Sequence, residues 1–229
     1  MFSIFDKLNQ DTILHIFNFL DDKNKIKFTS IEKEMNLLKY HIKFYDEYKY
    51  DNVKNLSFIK NFKCIKYLSN DTNIPDCVTH LTFGFFNQKI KNCIPNSVIN
   101  LTFGTYFNQE IKNYIPNSVT YLTFGYYFNQ KINNSIPNSV THLTFGENFN
   151  KEIKNAIPNS VTHLTFGNNF NQKIKGSIPN SVTHLTFGKN FDQKIKNSIP
   201  SGMQCLTFNR KFPKLIKSDI PHHIQFHSI

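Results

Sequence analysis

The chain has 229 residues, with 27 Lys and Arg against 16 Asp and Glu, a formal charge of +11 and a pI near 9.4. That length allows one large or two small domains, and 24 Phe, with no Trp and only 3 Met, are enough to fill a core. The charge would suit a nucleic-acid or membrane-surface partner, but Lys carries nearly all of it and Arg210 is the sole Arg, so a nucleic-acid partner is disfavoured.

At the start, "MFSIFDKLNQDTILHIFNFL" has neither the basic opening nor the small-residue cleavage site of a signal peptide. No apolar run approaches the roughly 18 residues of a membrane span. The expectation is a soluble, intracellular protein, cytoplasmic or nuclear, with no membrane partner. Cys64, Cys77, Cys93 and Cys205 form no C-x-x-C pair and are expected to be reduced.

From Leu8 the chain reads "LNQDTILHIFNFLDDKNKIKFTSIEKEMNLL". Ile13, Ile16, Phe17 and Leu20 fall at i, i+3, i+4 and i+7 of a helix, and a second apolar series runs through Ile26, Phe28, Ile31, Met35 and Leu38 after a break at Asp21 to Asn24. Residues 1–50 are therefore predicted to be a small helical domain, with more apolar helix face than so short a segment can hide. The stretch resembles an F-box, the motif by which substrate receptors attach to the Skp-type adaptor of a cullin-RING ubiquitin ligase. The resemblance implies adaptor contacts at Leu8, Asp11, Ile13, Ile16, Phe17, Leu20, Ile26 and Phe28. Asn9 stands where the family usually has Pro, and Met35 where it usually has Trp. Asn can still cap the helix start, and Met can fill an irregular gap.

Next, Val53, Leu56, Phe58 and Phe62 reproduce the apolar phases of the repeats that follow, so residues 51–73 are predicted to hold a cryptic first repeat acting as a cap. Ile-Pro then recurs at Ile74, Ile94, Ile115, Ile136, Ile157, Ile178, Ile199 and Ile220, spaced by 21 residues except for a first interval of 20. A fixed period of this length signals a solenoid, in which each unit covers its neighbour's apolar face.

Counting each Ile as position 1, the unit reads I-P-N-S-V-T-H-L-T-F-G-x-x-F-N-Q-K-I-K-N-x. Positions 8 and 10 have strand spacing, and the other large apolar groups, at 1, 5, 14 and 18, require a chain that turns around a central core. Gly at position 11 is expected to end the strand with a positive φ, and Asn209 in the seventh unit is the next best residue for that conformation. Asn at position 15 is expected to form a ladder between layers. Beyond Ile220 a degraded partial unit, residues 220–229, reads as an exit cap.

The recurring phrase, with Phe-Asn followed shortly by Ile-Pro, resembles the FNIP repeats, relatives of leucine-rich repeats, over residues 74–219. The implied fold class is α+β: an F-box-like helical domain followed by a right-handed solenoid with a parallel β-sheet and 21-residue repeats.

Catalysis needs unlike groups converging on a pocket, whereas this array offers like residues in parallel, so no catalytic residue and no cofactor are expected. Position 7 is read as His80, Asn100, Tyr121, His142, His163, His184 and Gln204 on the outer face of the strands, beside a Thr column at position 9. Stacked imidazoles do not converge on one ion, so no metal is expected either. Lys91, Lys112, Lys154, Lys175 and Lys196 form a basic flank at position 19, next to Lys and Glu alternating at position 17, where opposite charges are expected to meet. Specificity is expected where repetition fails, in the early aromatics Phe85, Tyr106, Tyr126 and Tyr127 of positions 12 and 13, together with Tyr121. The favoured function is the substrate-recognition subunit of a Skp-cullin-F-box ligase with an unknown target protein. The alternatives are a leucine-rich-repeat-like scaffold unconnected to ubiquitin and a basic-surface binder of anions or nucleic acid.

Overall fold

A computed structural model describes residues 9–31, 33–209, 220 and 222–228. They fall into two compact units, residues 1–67 with 77–79 and residues 68–76 with 80–229.

The first unit opens with helices α1 (Gln10–Phe17), α2 (Asp22–Ile31) and α3 (Lys33–Leu38). Asn9 caps α1, as expected: its Oδ1 accepts from the Thr12 backbone N–H at 2.8 Å and from the Thr12 hydroxyl at 2.7 Å. Strand β1 (Phe44–Lys49), a short helix α4 (Tyr50–Val53) and a 3₁₀ turn (Ile59–Asn61) lead into β2 (Phe62–Ser69), which pairs in parallel with β1. The core joins Ile13 and Phe17 of α1 to Leu38, Ile42, Phe44, Val53, Phe62 and Ile65. Asp22 and Lys25 form a buried ion pair at 3.1 Å. The Asp22 carboxylate also accepts from the Asp46 N–H at 2.6 Å and the Tyr48 hydroxyl at 3.3 Å, and Lys25 donates to the Lys43 carbonyl at 3.0 Å, so α2 is tied to β1 by fully used polar groups. Burial and the Asp22 charge push the Tyr48 phenol well above its usual range.

The phase expected for a repeat before Ile74 is not what forms. Leu56 and Phe58 lie in turns, and the strand is β2, further along the chain. The Thr79 N–H bonds the Ile65 carbonyl and the Gly84 N–H bonds the Ser69 carbonyl, which gives Ile65 and Ser69 the places of positions 6 and 10. Spacing misleads here because the chain from 50 to 61 is spent on helix and 3₁₀ turn rather than on a regular layer.

In the second unit each repeat supplies one strand: β3 (His80–Phe83), β4 (Asn100–Thr102), β5 (Tyr121–Thr123), β6 (His142–Thr144), β7 (His163–Thr165), β8 (His184–Phe187) and β9 (Cys205–Phe208). All neighbours are parallel and in register, position on position, and β10 (Gln225–Ser228) adds a further parallel strand on β9. Val at position 5, Leu at 8, Phe at 10 and 14 and Ile at 18 are buried in every full layer, forming a solenoid core of like residues. Phe124 stacks on Phe103 and Phe145 in adjacent layers at 5.4 and 5.5 Å, and on Phe128 within its own layer at 4.0 Å. Between layers, Asn Oδ1 at position 15 accepts the next layer's backbone N–H, as in Asn129 to Asn108 at 2.9 Å, and Gln130 adds its amide at 3.0 Å.

The glycines of position 11 are not at positive φ; that conformation belongs to Asn92, Asn113, Asn134, Asn155 and Asn197 at position 20, where unit five has Gly176. There Ile132 accepts from the Ser135 N–H to close a tight turn, with Asn134 at φ 52° in its third place. Gly at position 11 meets a different demand. A Cβ on Gly146 would lie 2.0 Å from the Gly125 carbonyl oxygen, so only hydrogen lets successive layers approach. Asn209 escapes this constraint because its N–H bonds back to the Phe187 carbonyl, continuing the β8–β9 ladder instead of entering the close contact.

Candidate functional site

Two kinds of surface emerge. On the first unit, α1 turns one apolar stripe inward and leaves Ile16 outward. Ile13 and Phe17 are buried in the unit's own core, and Leu20 and Phe28 pack partly against it, so four of the residues proposed for adaptor contact are occupied internally. Ile16 and Ile26 are exposed at 40% and 43%, as is Asp11, while Leu8 lies outside the described residues, as does the side chain of Met35. Phe19, exposed at 78%, and Leu37, at 65%, were not singled out by sequence. Phe19 follows Ile16 at i+3 and lies in the turn past α1, and that spacing is the signal the sequence offers for it.

On the second unit the early aromatics separate into two columns. Beyond the strand ends Phe85, Tyr106 and Tyr127 stack layer on layer at 5.9 and 5.7 Å, with Tyr126 edge-on to Tyr127 at 4.8 Å. All four are exposed. The column then changes chemistry: Asn169 donates its side-chain amide to Asn148 at 3.0 Å, and Asn190 to Asn169 at 2.8 Å. Tyr121 is not part of this group. It sits at the opposite end of its strand and stacks on His142 at 4.3 Å, heading the column of His142, His163 and His184, whose rings repeat at 4.2 and 4.3 Å. Cys205, not the expected Gln204, is in register with His184 and extends the same column, since Gln204 stands one place earlier in its unit. Partial burial, and then the charge of the other imidazoles, lowers the basicity of His142 and His163.

Along the flank, neither Glu110 nor Glu152 forms an ion pair among the described residues, against the expected meeting of opposite charges. Instead Glu110, Lys112, Lys131, Asn133, Lys151 and Glu152 line an open polar groove. Among the described residues no cluster of three or more His, Cys, Asp or Glu could hold a metal ion, and no helix is long and apolar enough to cross a membrane.

Comparison with known proteins places these features. An F-box and FNIP repeat-containing protein of Acanthamoeba polyphaga mimivirus, R286, is 35% identical over 97 residues, covering 42% of this chain and 28% of its own length. A second from the same virus, L414, is 41% identical over 123 residues, covering 46% of this chain and 24% of its own. The chain thus spans only about a quarter of the length of these relatives. Among solved structures, CroV588, a circular LRR protein, superposes with a TM-score of 0.64 at 45% identity over 74% of this chain and 28% of its own. The profile described as FNIP Repeat matches residues 86–127, 128–169 and 170–211, more than half of the sequence. With like residues stacked in register through those same layers, the chain belongs to the FNIP repeat family.

Proposed function

We propose that the chain is the substrate-recognition subunit of a cullin-RING ubiquitin ligase, with the first unit docking a Skp-type adaptor and the repeats binding a target protein. The observation that carries this reading is the set of exposed large apolar side chains Ile16, Ile26 and Leu37 on helices, and Phe19 in the turn just past α1, in a unit whose inward apolar residues already form a core. Apolar side chains left outward on a small helical unit fit a partner's groove. The mimiviral relatives named as F-box proteins support the same assignment. Asp11, exposed in the first turn of α1, and Leu8 belong to the same proposed contact. In this role the chain supplies geometry and no catalytic group, ubiquitin transfer falling to other subunits inside the cell. Target recognition is assigned to Phe85, Tyr106, Tyr126 and Tyr127, whose exposed rings are the residue types that dominate interface energies, with Tyr121 as a separate contact.

The test is co-purification of a Skp-type adaptor with the full chain and with an Ile16→Asp, Phe19→Ala variant. Both side chains are exposed, so the fold should be retained and the adaptor lost. Undiminished adaptor capture by the variant, at an unchanged circular dichroism spectrum, would overturn the assignment. A scaffold unconnected to ubiquitin is the second reading, favoured by the aromatic column because it needs nothing from the first unit.

A further inference from the structure

We propose that the imidazole column of β6, β7 and β8 is a proton-gated site for a small, multiply charged oxyanion of the phosphate type, independent of adaptor docking and of the Phe85–Tyr127 column. The case rests on how each ring is held. His142, His163 and His184 place Nδ1 2.9 Å from the hydroxyl of the preceding residue, Thr141, Thr162 and Thr183. The same hydroxyls lie 3.2 to 3.3 Å from the carbonyls of Thr120, Thr141 and Thr162. Those carbonyls already accept two backbone N–H groups each, as Thr120 does from Thr141 at 2.9 Å and His142 at 3.1 Å. The hydroxyl proton therefore goes to Nδ1 in the neutral ring, which leaves Nε2 carrying its hydrogen. No protein group partners any of the three Nε2 atoms among the described residues, and none of them is a buried unsatisfied atom. They form an outward row of N–H donors at the ring repeat of 4.2 to 4.3 Å.

Protonation adds a hydrogen at Nδ1, and the threonine hydroxyl answers by rotating: it accepts from Nδ1 and donates to the carbonyl within reach. Each ring can thus gain a charge without losing a partner. What resists charging is the neighbouring ring, since imidazolium ions stacked this closely repel one another. Strands β5 to β9 carry no Asp, Glu, Lys or Arg, so no fixed charge on them neutralises the column. The titratable groups on that face of β3 to β10 are His80, Tyr121, the three histidines, Cys205 and, on β10, His227. An oxyanion with more than one charge bridging adjacent Nε2–H donors removes the repulsion, and the chain's net charge of +11 concentrates anions at its surface. At neutral pH the same row presents uncharged donors and holds the anion weakly.

The experiment follows the histidine ring signals of the full chain by ¹H–¹⁵N spectroscopy while inorganic pyrophosphate is added at constant ionic strength, at about pH 5 and about pH 8. Saturable shifts of His142, His163 and His184 are expected at the lower pH, with affinity at least about tenfold weaker at the higher one and apparent pKa values raised by roughly half a unit by the anion. His163→Gln replaces the middle protonatable ring by an amide that can donate but cannot be charged, and should weaken binding at the lower pH about tenfold. An amide fits the column, since Asn100 and Gln225 occupy its place in β4 and β10. His222→Gln, outside the column, should change nothing. Equal affinity at both pH values, pKa values indifferent to pyrophosphate, or full binding by His163→Gln would each overturn the proposal.

Discussion

Adding one carbon to Gly146 tests whether close approach of layers, rather than backbone conformation, fixes glycine at position 11. In Gly146→Ala the new Cβ would lie 2.0 Å from the Gly125 carbonyl oxygen and 2.4 Å from its carbon. Non-bonded heavy atoms rest at about 3.5 Å or more, so the layers must part by roughly 1.5 Å against a normal strand spacing of about 4.8 Å. Both obstructing atoms are backbone, and no side-chain rotation relieves them. Overpacking of this kind costs about 1–3 kcal/mol. The Phe145 N–H to Thr165 and Phe149 N–H to Gly146 bonds flank the site, and straining them adds about 1 kcal/mol each. The expected loss is about 3–5 kcal/mol, which lowers Tm by roughly 10 °C in a chain of this size. Gly176 is the control: its φ is +68° and nothing lies within 4 Å of its Cβ position, so Gly176→Asn, matching the Asn of other units, should stay within about 0.5 kcal/mol of wild type. Thermal and urea unfolding by circular dichroism measure both. If Gly146→Ala melts with the wild type, or Gly176→Asn is the more damaging change, the explanation is wrong.

Asn108→Ala removes the acceptor of the Asn129 N–H and the Gln130 amide and should lower stability by about 1–2 kcal/mol in urea, an effect that Asn108→Asp, which keeps the acceptor, largely avoids. Lys25→Met leaves the Asp22 carboxylate buried without its cation and should cost about 3–5 kcal/mol in the first unit, read as early loss of its near-ultraviolet signal while the repeats stay folded; simultaneous melting of both units at the wild-type temperature would refute it. Because the folded-state pKa values of His142 and His163 are depressed, the stability they allow is complete above the unfolded value near 6.5 and is lost as pH falls through the lower folded values. Tm should therefore drop on acidification below about pH 6.5, less steeply in His163→Gln. A chain beginning at residue 74 lacks the Ser69 and Asn70 acceptors of the Gly84 and Phe85 N–H groups and should aggregate where one beginning at residue 51 does not, if residues 51–73 act as a cap.

Period and inward phases were legible because a layered core imposes one rule on every repeat: Val78 and its equivalents at position 5, or Phe86 and its equivalents at 14, have a single destination. The reason for glycine was not legible. A missing Cβ serves positive φ and close approach alike, and only the distance from Gly146 to Gly125 separates them, while the asparagines that do take positive φ read as ordinary polar positions. On α1, helical periodicity finds apolar positions without saying which of them meet the core, so Ile13 and Phe17 read as partner contacts, while Phe19, in the turn beyond the helix, falls outside the series that starts at Ile13. Tyr121 was grouped with Tyr106 and Tyr127 because sequence records neighbouring units but not which end of a strand a side chain leaves from.

Register without slippage, position on position from β3 to β9, gives every interior repeat a leading face that fits the trailing face of any other. A whole unit can then be duplicated or excised between Ile115 and Ile178 and the severed surfaces still match, since Phe meets Phe, Asn meets Asn and Gly meets Gly at the new junction. Length becomes a variable that changes in steps of one layer at nearly constant stability per layer. Each step also edits one surface column by one member: duplicating the Ile115 unit repeats Tyr121, Tyr126 and Tyr127, whereas duplicating the Ile136 or Ile157 unit adds one imidazole to the histidine row.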